Sequence, residues 1–168
     1  MTARYPLVLN GTSIQELQSG DTLPAITLAS PTLTSPTLTS PTLTTPYLTA
    51  SAWPVVDKGN VSNATVTFDY SAGSVQTFTA TGSTVTWAFS NWPTTGNLGE
   101  LLIIATNAGA YTQTISGVTW IQPSGATTTT FSTYLANNGT RTTLQSSGTD
   151  QFYFWTRDAG TTIYGKLI

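Results

Sequence analysis

Ser30-Pro-Thr-Leu-Thr34, Ser35-Pro-Thr-Leu-Thr39, Ser40-Pro-Thr-Leu-Thr44 and Thr45-Pro-Tyr-Leu-Thr49 are four consecutive copies of one five-residue repeat. Each copy has one Pro, which fixes φ and removes a backbone donor, and one Leu; every other position is Ser or Thr except Tyr47. A proline at every fifth position excludes a helix. Side chains alternate along a strand, so a straight strand would put Leu33 and Leu38 on opposite faces. Burying all the leucines together requires the chain to turn at each Pro and needs partner chains to supply the missing walls. The simplest object of that kind is a threefold intertwined stalk, with Leu28, Leu33, Leu38, Leu43 and Leu48 stacked along the trimer axis. A disordered Pro/Thr linker is the alternative that composition allows. A linker, however, does not need a leucine that recurs without exception.

The rest of the composition narrows the function classes. The chain has 168 residues, of which only five are basic and seven acidic, with Thr, Ser, Gly and Asn filling most polar positions. An ordinary domain carries charge on about a quarter of its residues, so this surface is unusually neutral and hydroxyl-rich. It offers no cationic patch, and nucleic acid is not an expected partner. There is no Cys, so no disulfide or thiolate metal site holds the fold. There is no His, which removes the commonest general base and every Ser-His or Cys-His nucleophile pair. The first residues lack a signal-peptide apolar core, and the longest aliphatic run, Leu101 to Ala105, is too short to span a bilayer. No membrane insertion is expected, and manufacture in a cytoplasm is.

Three regions follow: an arm over 1–24, a stalk and collar over 25–58, and a knob over 59–168. In the arm, Asn10-Gly11 between two apolar segments reads as a type I′ hairpin turn, with Leu9 facing Thr12 and Leu7 facing Ile14. A helical turn opened by a Ser13-x-x-Glu16 capping box competes with it. Either way Tyr5, Leu7, Leu9, Ile14 and Leu17 form an apolar set too small to bury itself, which suits attachment to a larger assembly. Trp53-Pro-Val-Val56 reads as a collar, and Asp57-Lys-Gly-Asn60 as a turn at the domain boundary.

The knob reads as short alternating strands: Ala64 to Tyr70, Ser74 to Ala80, Thr84 to Ser90, Tyr111 to Ser116, Val118 to Ile121, Thr127 to Phe131, Arg141 to Ser147, Gln151 to Arg157 and Thr161 to Leu167. Leu101 to Ala105 is a continuous apolar run, which predicts a central strand covered on both sides. Asp158-Ala-Gly160 is a tight turn joining the last two strands. No segment carries a helical period. The expected class is all-β, with a short N-terminal hairpin or arm, a trimeric β-stalk and a C-terminal antiparallel β-sandwich of jelly-roll type.

Val85-Thr-Trp-Ala-Phe-Ser-Asn-Trp-Pro93, Leu101 to Ile104, Val118-Thr-Trp120 and Phe152-Tyr-Phe-Trp-Thr-Arg-Asp-Ala-Gly-Thr-Thr-Ile-Tyr-Gly165 resemble, in order, the C-terminal β-sandwich of many tailed-bacteriophage fibre and virion-surface proteins. The resemblance covers roughly Ala64 to Ile168. Arg4 to Asp21 is similar to N-terminal segments of phage structural proteins. The resemblance implies a homotrimer with its N-terminus toward the particle and its sandwich outward. Four five-residue repeats reach at most about 70 Å, so a stub on a shell fits better than a long fibre.

Little points to catalysis. Asp69, Glu100, Asp150 and Asp158 show no pairing of the kind that glycan cleavage needs, and no phosphate loop or metal-ligand cluster is present. Asp150 and Asp158 are the carboxylates that a cation on a trimer axis would use. Trp87 and Trp155 lie in alternating strands and are expected in the core. Trp92, in a Pro/Thr loop, is the candidate for stacking on a sugar, against core or interface packing as the plainer reading. The expectation is a non-enzymatic virion-surface protein without cofactor: a homotrimeric capsid decoration or cement protein, or short head fibre, bound to the major coat protein or another virion protein. The alternative is a short tail fibre that recognises host surface glycan.

Overall fold

The computed structural model describes the backbone of 7–10 and 13–16, and residues 52–139 and 141–168. The chain divides into two units, Met1–Tyr47 and Leu48–Ile168. The predicted axis residues Leu28, Leu33, Leu38, Leu43 and Leu48, and the attachment residues Tyr5 and Leu17, lie outside the described residues.

In the first unit, β1 (Leu7–Asn10) pairs antiparallel with β2 (Ser13–Glu16). The hairpin is present but its register differs from the expectation. Leu9 pairs with Ile14 and Leu7 with Glu16, so the two connecting positions are 11 and 12 rather than 10 and 11. Asn10 thus belongs to β1, paired with Ser13, rather than to the connection.

The second unit is all β apart from short helical turns. Its strands are β3 (Val55–Val61), β4 (Ala64–Asp69), β5 (Val75–Ala80), β6 (Thr84–Ser90), β7 (Gly99–Thr106), β8 (Thr112–Ile115), β9 (Val118–Ile121), β10 (Thr127–Thr128), β11 (Thr149–Thr156) and β12 (Ile163–Leu167). One sheet has the order β10-β9-β12-β11-β7-β5-β3; the other is β4-β6-β8. From β3 to β9 the chain alternates between the two sheets strand by strand. Same-sheet neighbours are therefore parallel: β3 with β5, β5 with β7, β4 with β6, and β6 with β8.

This corrects the antiparallel jelly-roll expectation. The short connections are corners between sheets, where a hairpin reading had them folding back within one sheet. Asn63, at φ 49°, makes the β3–β4 corner, and its side-chain oxygen accepts from Thr84 N–H at 3.0 Å and Ser83 Oγ at 2.8 Å. Gly82, in the β5–β6 corner, sits so close beneath it that a Cβ would lie 2.6 Å from the Asn63 nitrogen. Antiparallel pairing returns only at β7–β11–β12 and β9–β10.

The core lies between the sheets. Alternation puts Val66 and Phe68 of β4, Val85 and Trp87 of β6, Phe78 of β5, and Phe152 and Phe154 of β11 inward, all buried. Trp87 is the centre: its ring lies 5.0 Å from Phe68, 5.3 Å from Phe78 and 4.9 Å from Phe152, in tilted or edge geometry.

Three further expectations are corrected. Asp57 to Asn60 is no boundary turn; it lies within β3, which carries an irregularity between Asp57 and Asn60. Arg141 to Ser147 is a loop rather than a strand, because Arg141 and the Gln145 N–H both bind the buried Asp150 carboxylate. The predicted strand ending at Phe131 stops at Thr128, and α1 (Phe131–Ala136) follows, with Tyr134 buried and Phe131 and Leu135 half-buried on one face. Tyr134 ties this helix to the last strand, its hydroxyl accepting from Leu167 N–H at 2.7 Å.

Candidate functional site

A groove of about 610 Å³ runs along β8, the outer edge of the three-stranded sheet. Its floor is apolar, from Tyr111, Ile115, Phe131, Leu135 and Leu144. Hydroxyls also line it, from Thr114 of β8 and Ser116 just after it, and from threonines and a serine of 129–132 and of 142–143. Among the described residues no charged side chain lines it. Gln113, whose side chain also borders the groove, is already committed. It accepts from Trp87 Nε1 at 2.9 Å and donates to Ala108 O at 2.9 Å and Tyr111 O at 3.3 Å. An edge strand has unpaired N–H and C=O groups on its outer side, so the groove suits an extended, uncharged ligand.

The carboxylates of this unit are placed for structure. Asp57 accepts from Gly59 N–H at 2.9 Å and Thr77 Oγ1 at 3.0 Å. Asp69 accepts from Ser71 and from Asn91 Nδ2. Asp158 accepts from Thr162 N–H at 2.9 Å and Thr156 Oγ1 at 2.8 Å. These bonds hold all three below the ordinary carboxylate value. Asp150 is fully buried against Arg141, and burial pushes its pKa up despite the Gln145 N–H and Arg141 beside it. Asp150 is thus committed to Arg141 and Gln145, while both bonds to Asp158 fall on its Oδ1. Among the described residues no cluster of three metal-ligating side chains occurs.

No family model, curated protein or solved structure matches the chain. Its function is therefore read from residues and geometry.

Trp92 is half-buried, stacked on Tyr70 at 5.8 Å and Phe89 at 6.1 Å, and its Nε1 is buried without a partner among the described residues. Gly160 abuts its edge. The ring is engaged in packing, as the plainer of its two readings expects. Leu7, Leu9 and Ile14 are located only by their backbone pairing in the hairpin.

Trp155 is not a core residue, contrary to expectation. It is half-buried on the outer face of the seven-stranded sheet, 5.3 Å from Tyr153 and 5.6 Å from Tyr164. Phe152 and Phe154 took the inward positions, and strand alternation sends Tyr153 and Trp155 the other way. The Tyr153 hydroxyl donates to the Glu100 carboxylate, and burial followed by this contact pushes its pKa up to about 12. Leu102 and Ile104 share this outer face, while Leu101, Ile103 and Ala105 fill the core. The continuous apolar run of β7 thus has its inner side packed and its outer side half-exposed within one chain. Sequence reasoning missed the groove because its floor is assembled from β8, α1 and the 141–148 loop, none of which carries a motif.

Proposed function

We propose that this chain is a non-enzymatic structural protein of a tailed-phage particle, a homotrimeric capsid decoration or cement protein or short head fibre. Residues 1–24 attach it to the major coat protein or another virion protein, residues from 25 up to the start of β3 at Val55 intertwine as a trimeric stalk and collar, and the β-rich unit, which takes in β3, is displayed as a knob on the virion surface. The observation that carries the reading is the pentapeptide repeat from Ser30 to Thr49, whose invariant leucine needs more than one chain for its burial. The β1–β2 hairpin supports an attachment role, since a two-stranded hairpin is marginal alone and gains stability by docking. The carboxylates of the knob support a non-catalytic role, each being held by a turn, a tyrosine or Arg141.

Sedimentation of the full chain at micromolar concentration tests the assembly: a trimer is expected, and a monomer overturns it. Particles lacking the protein should lose capsid stability and keep adsorption. A second reading, a short tail fibre recognising host glycan, is favoured by the uncharged, hydroxyl-lined groove along β8. It expects the opposite result from the same particles, lost adsorption with intact capsid stability.

A further inference from the structure

The outer face of the seven-stranded sheet carries an apolar row that crosses four strands. Val55 of β3 is in register with Val75 of β5, Val75 with Leu102 of β7, and Leu102 with Tyr153 of β11. Val55 is 60 % exposed. Trp155 and Tyr164 continue the patch in the next row, beside the 58 % exposed Leu98. Cutting β7 and β11 out of the sequence gives uninterrupted apolar segments, Leu101 to Ala105 and Phe152 to Trp155, of the kind found in strands covered on both faces. One chain covers a single face of them.

The borders of this row carry opposite charges. Asp57 lies on β3 two residues beyond Val55, on the same face, and its partner in register is Thr77. Lys166 of β12 is in register with Tyr153 and stands over its ring at 5.6 Å. Among the described residues the ion pair formed is Arg141 with Asp150, so neither Asp57 nor Lys166 has an ionic partner within them. β3 and β12 are four strand positions apart, about 19 Å at ordinary strand spacing, so the two cannot meet within one chain.

We propose that this face is a head-to-tail contact between copies of the chain, in which the Val55–Asp57 border of one copy packs against the Tyr153–Lys166 border of the next and Asp57 meets Lys166. The proposal rests on the trimer reading and deepens it, giving the knob its own closing interface. Apolar area supplies the association and the Asp57–Lys166 pair sets its direction, while Glu100 on the same face is taken up by the Tyr153 hydroxyl. A heterologous contact of this kind closes into a ring when its rotation is threefold.

The chain contains no cysteine, so an introduced pair reports cleanly. Full-length protein carrying Asp57→Cys and Lys166→Cys, oxidised and run on a non-reducing gel, should end as a covalent trimer, while each single variant stays monomeric. The two sulfurs within one chain are beyond disulfide reach. A product that stops at dimers would indicate a twofold contact and overturn the ring. Absence of any cross-link overturns the contact; if that unoxidised protein still sediments as a trimer, the trimer reading survives, and if it sediments as a monomer, both fail. As a second variant, Lys166→Asp should raise the concentration for half-dissociation about fivefold, and adding Asp57→Lys should reverse this. An unchanged half-dissociation concentration in Lys166→Asp, or no recovery in the swapped pair, also counts against the contact.

Discussion

Arg141 holds the carboxylate of Asp150, a side chain with no exposed surface, from a loop that is itself kept in place by that contact. Asp150 also accepts from Gln145 N–H at 2.9 Å, and Arg141 reaches Ile168 O at 3.3 Å, so one buried carboxylate gathers the 141–148 loop, β11 and the last residue.

Truncating the cation leaves a buried charge alone. Arg141→Ala should destabilise the fold by about 3–5 kcal/mol, whereas the double replacement Arg141→Met with Asp150→Leu should cost much less. Urea unfolding of the three proteins checks this. Equal losses in the single and double variants would mean that packing of the loop, not the charge, is what the pair supplies.

Gly160 is in the left-handed region at φ 82°, and a Cβ there would lie 2.4 Å from Trp92 Cδ1. Gly160→Ala should therefore cost about 2–3 kcal/mol, from backbone strain together with displacement of the indole. Trp92→Leu in the same chain removes the clash and leaves the φ strain, so the double variant should lose less than the sum of the two singles. Thermal melts of the four proteins give the coupling; strict additivity would show that the ring yields freely.

Which parts of this were legible in the sequence depends on the range of the physics involved. Inward positions follow from alternation: Val66 and Phe68, and Val85 and Trp87, stand two apart in their strands and are buried. The Asp158-Ala-Gly160 turn was legible because its chemistry is local. Strand direction was not, since corners such as Ser62-Asn63 and Thr81 to Ser83 look like hairpin turns until the partner sheet is known. Helix α1 is six residues long, too short to display a period. Trp155 was misplaced because an alternating aromatic strand does not announce which of its faces is inward. The groove was illegible for the same reason as the Arg141–Asp150 pair, both being assembled across the fold.

Acid should destabilise the knob through Asp57, Asp69 and Asp158. Each is held below the ordinary value of 3.8 by hydrogen bonds to its ionised form, so each contributes stability that is present above 3.8 and lost as pH falls through its lower folded value. Asp150 runs the other way. Its raised pKa means that ionising it costs the folded state stability as pH rises above 3.8, and acidification relieves that cost. The melting temperature should therefore fall below pH 4, and Asp158→Asn should flatten that fall. In Asp150→Asn the fall should be steeper, because the opposing group is gone.

Gln113 offers the sharpest separation of fold from groove. Its side-chain oxygen accepts the indole N–H of Trp87, a residue only 2 % exposed at the centre of the core, and its nitrogen donates to the carbonyls of Ala108 and Tyr111, at the short helical turn Ala108–Ala110 and just after it. Gln113→Ala orphans the buried indole donor of Trp87, for about 1–3 kcal/mol, and takes a donor from two carbonyls, of which Ala108 O keeps the Tyr111 N–H at 3.3 Å. Gln113→Glu keeps the acceptor for Trp87 and removes the donor, so it should retain more stability at neutral pH than the alanine variant. Thr114→Val, one residue along and pointing outward from the same edge strand, should leave stability within about 0.5 kcal/mol of the parent, since it removes one exposed hydroxyl. Chemical denaturation of the three variants orders them. If Thr114→Val proved as costly as Gln113→Ala, the hydroxyl lining of the groove would be part of what holds β8 in the sheet rather than a surface free to take a ligand.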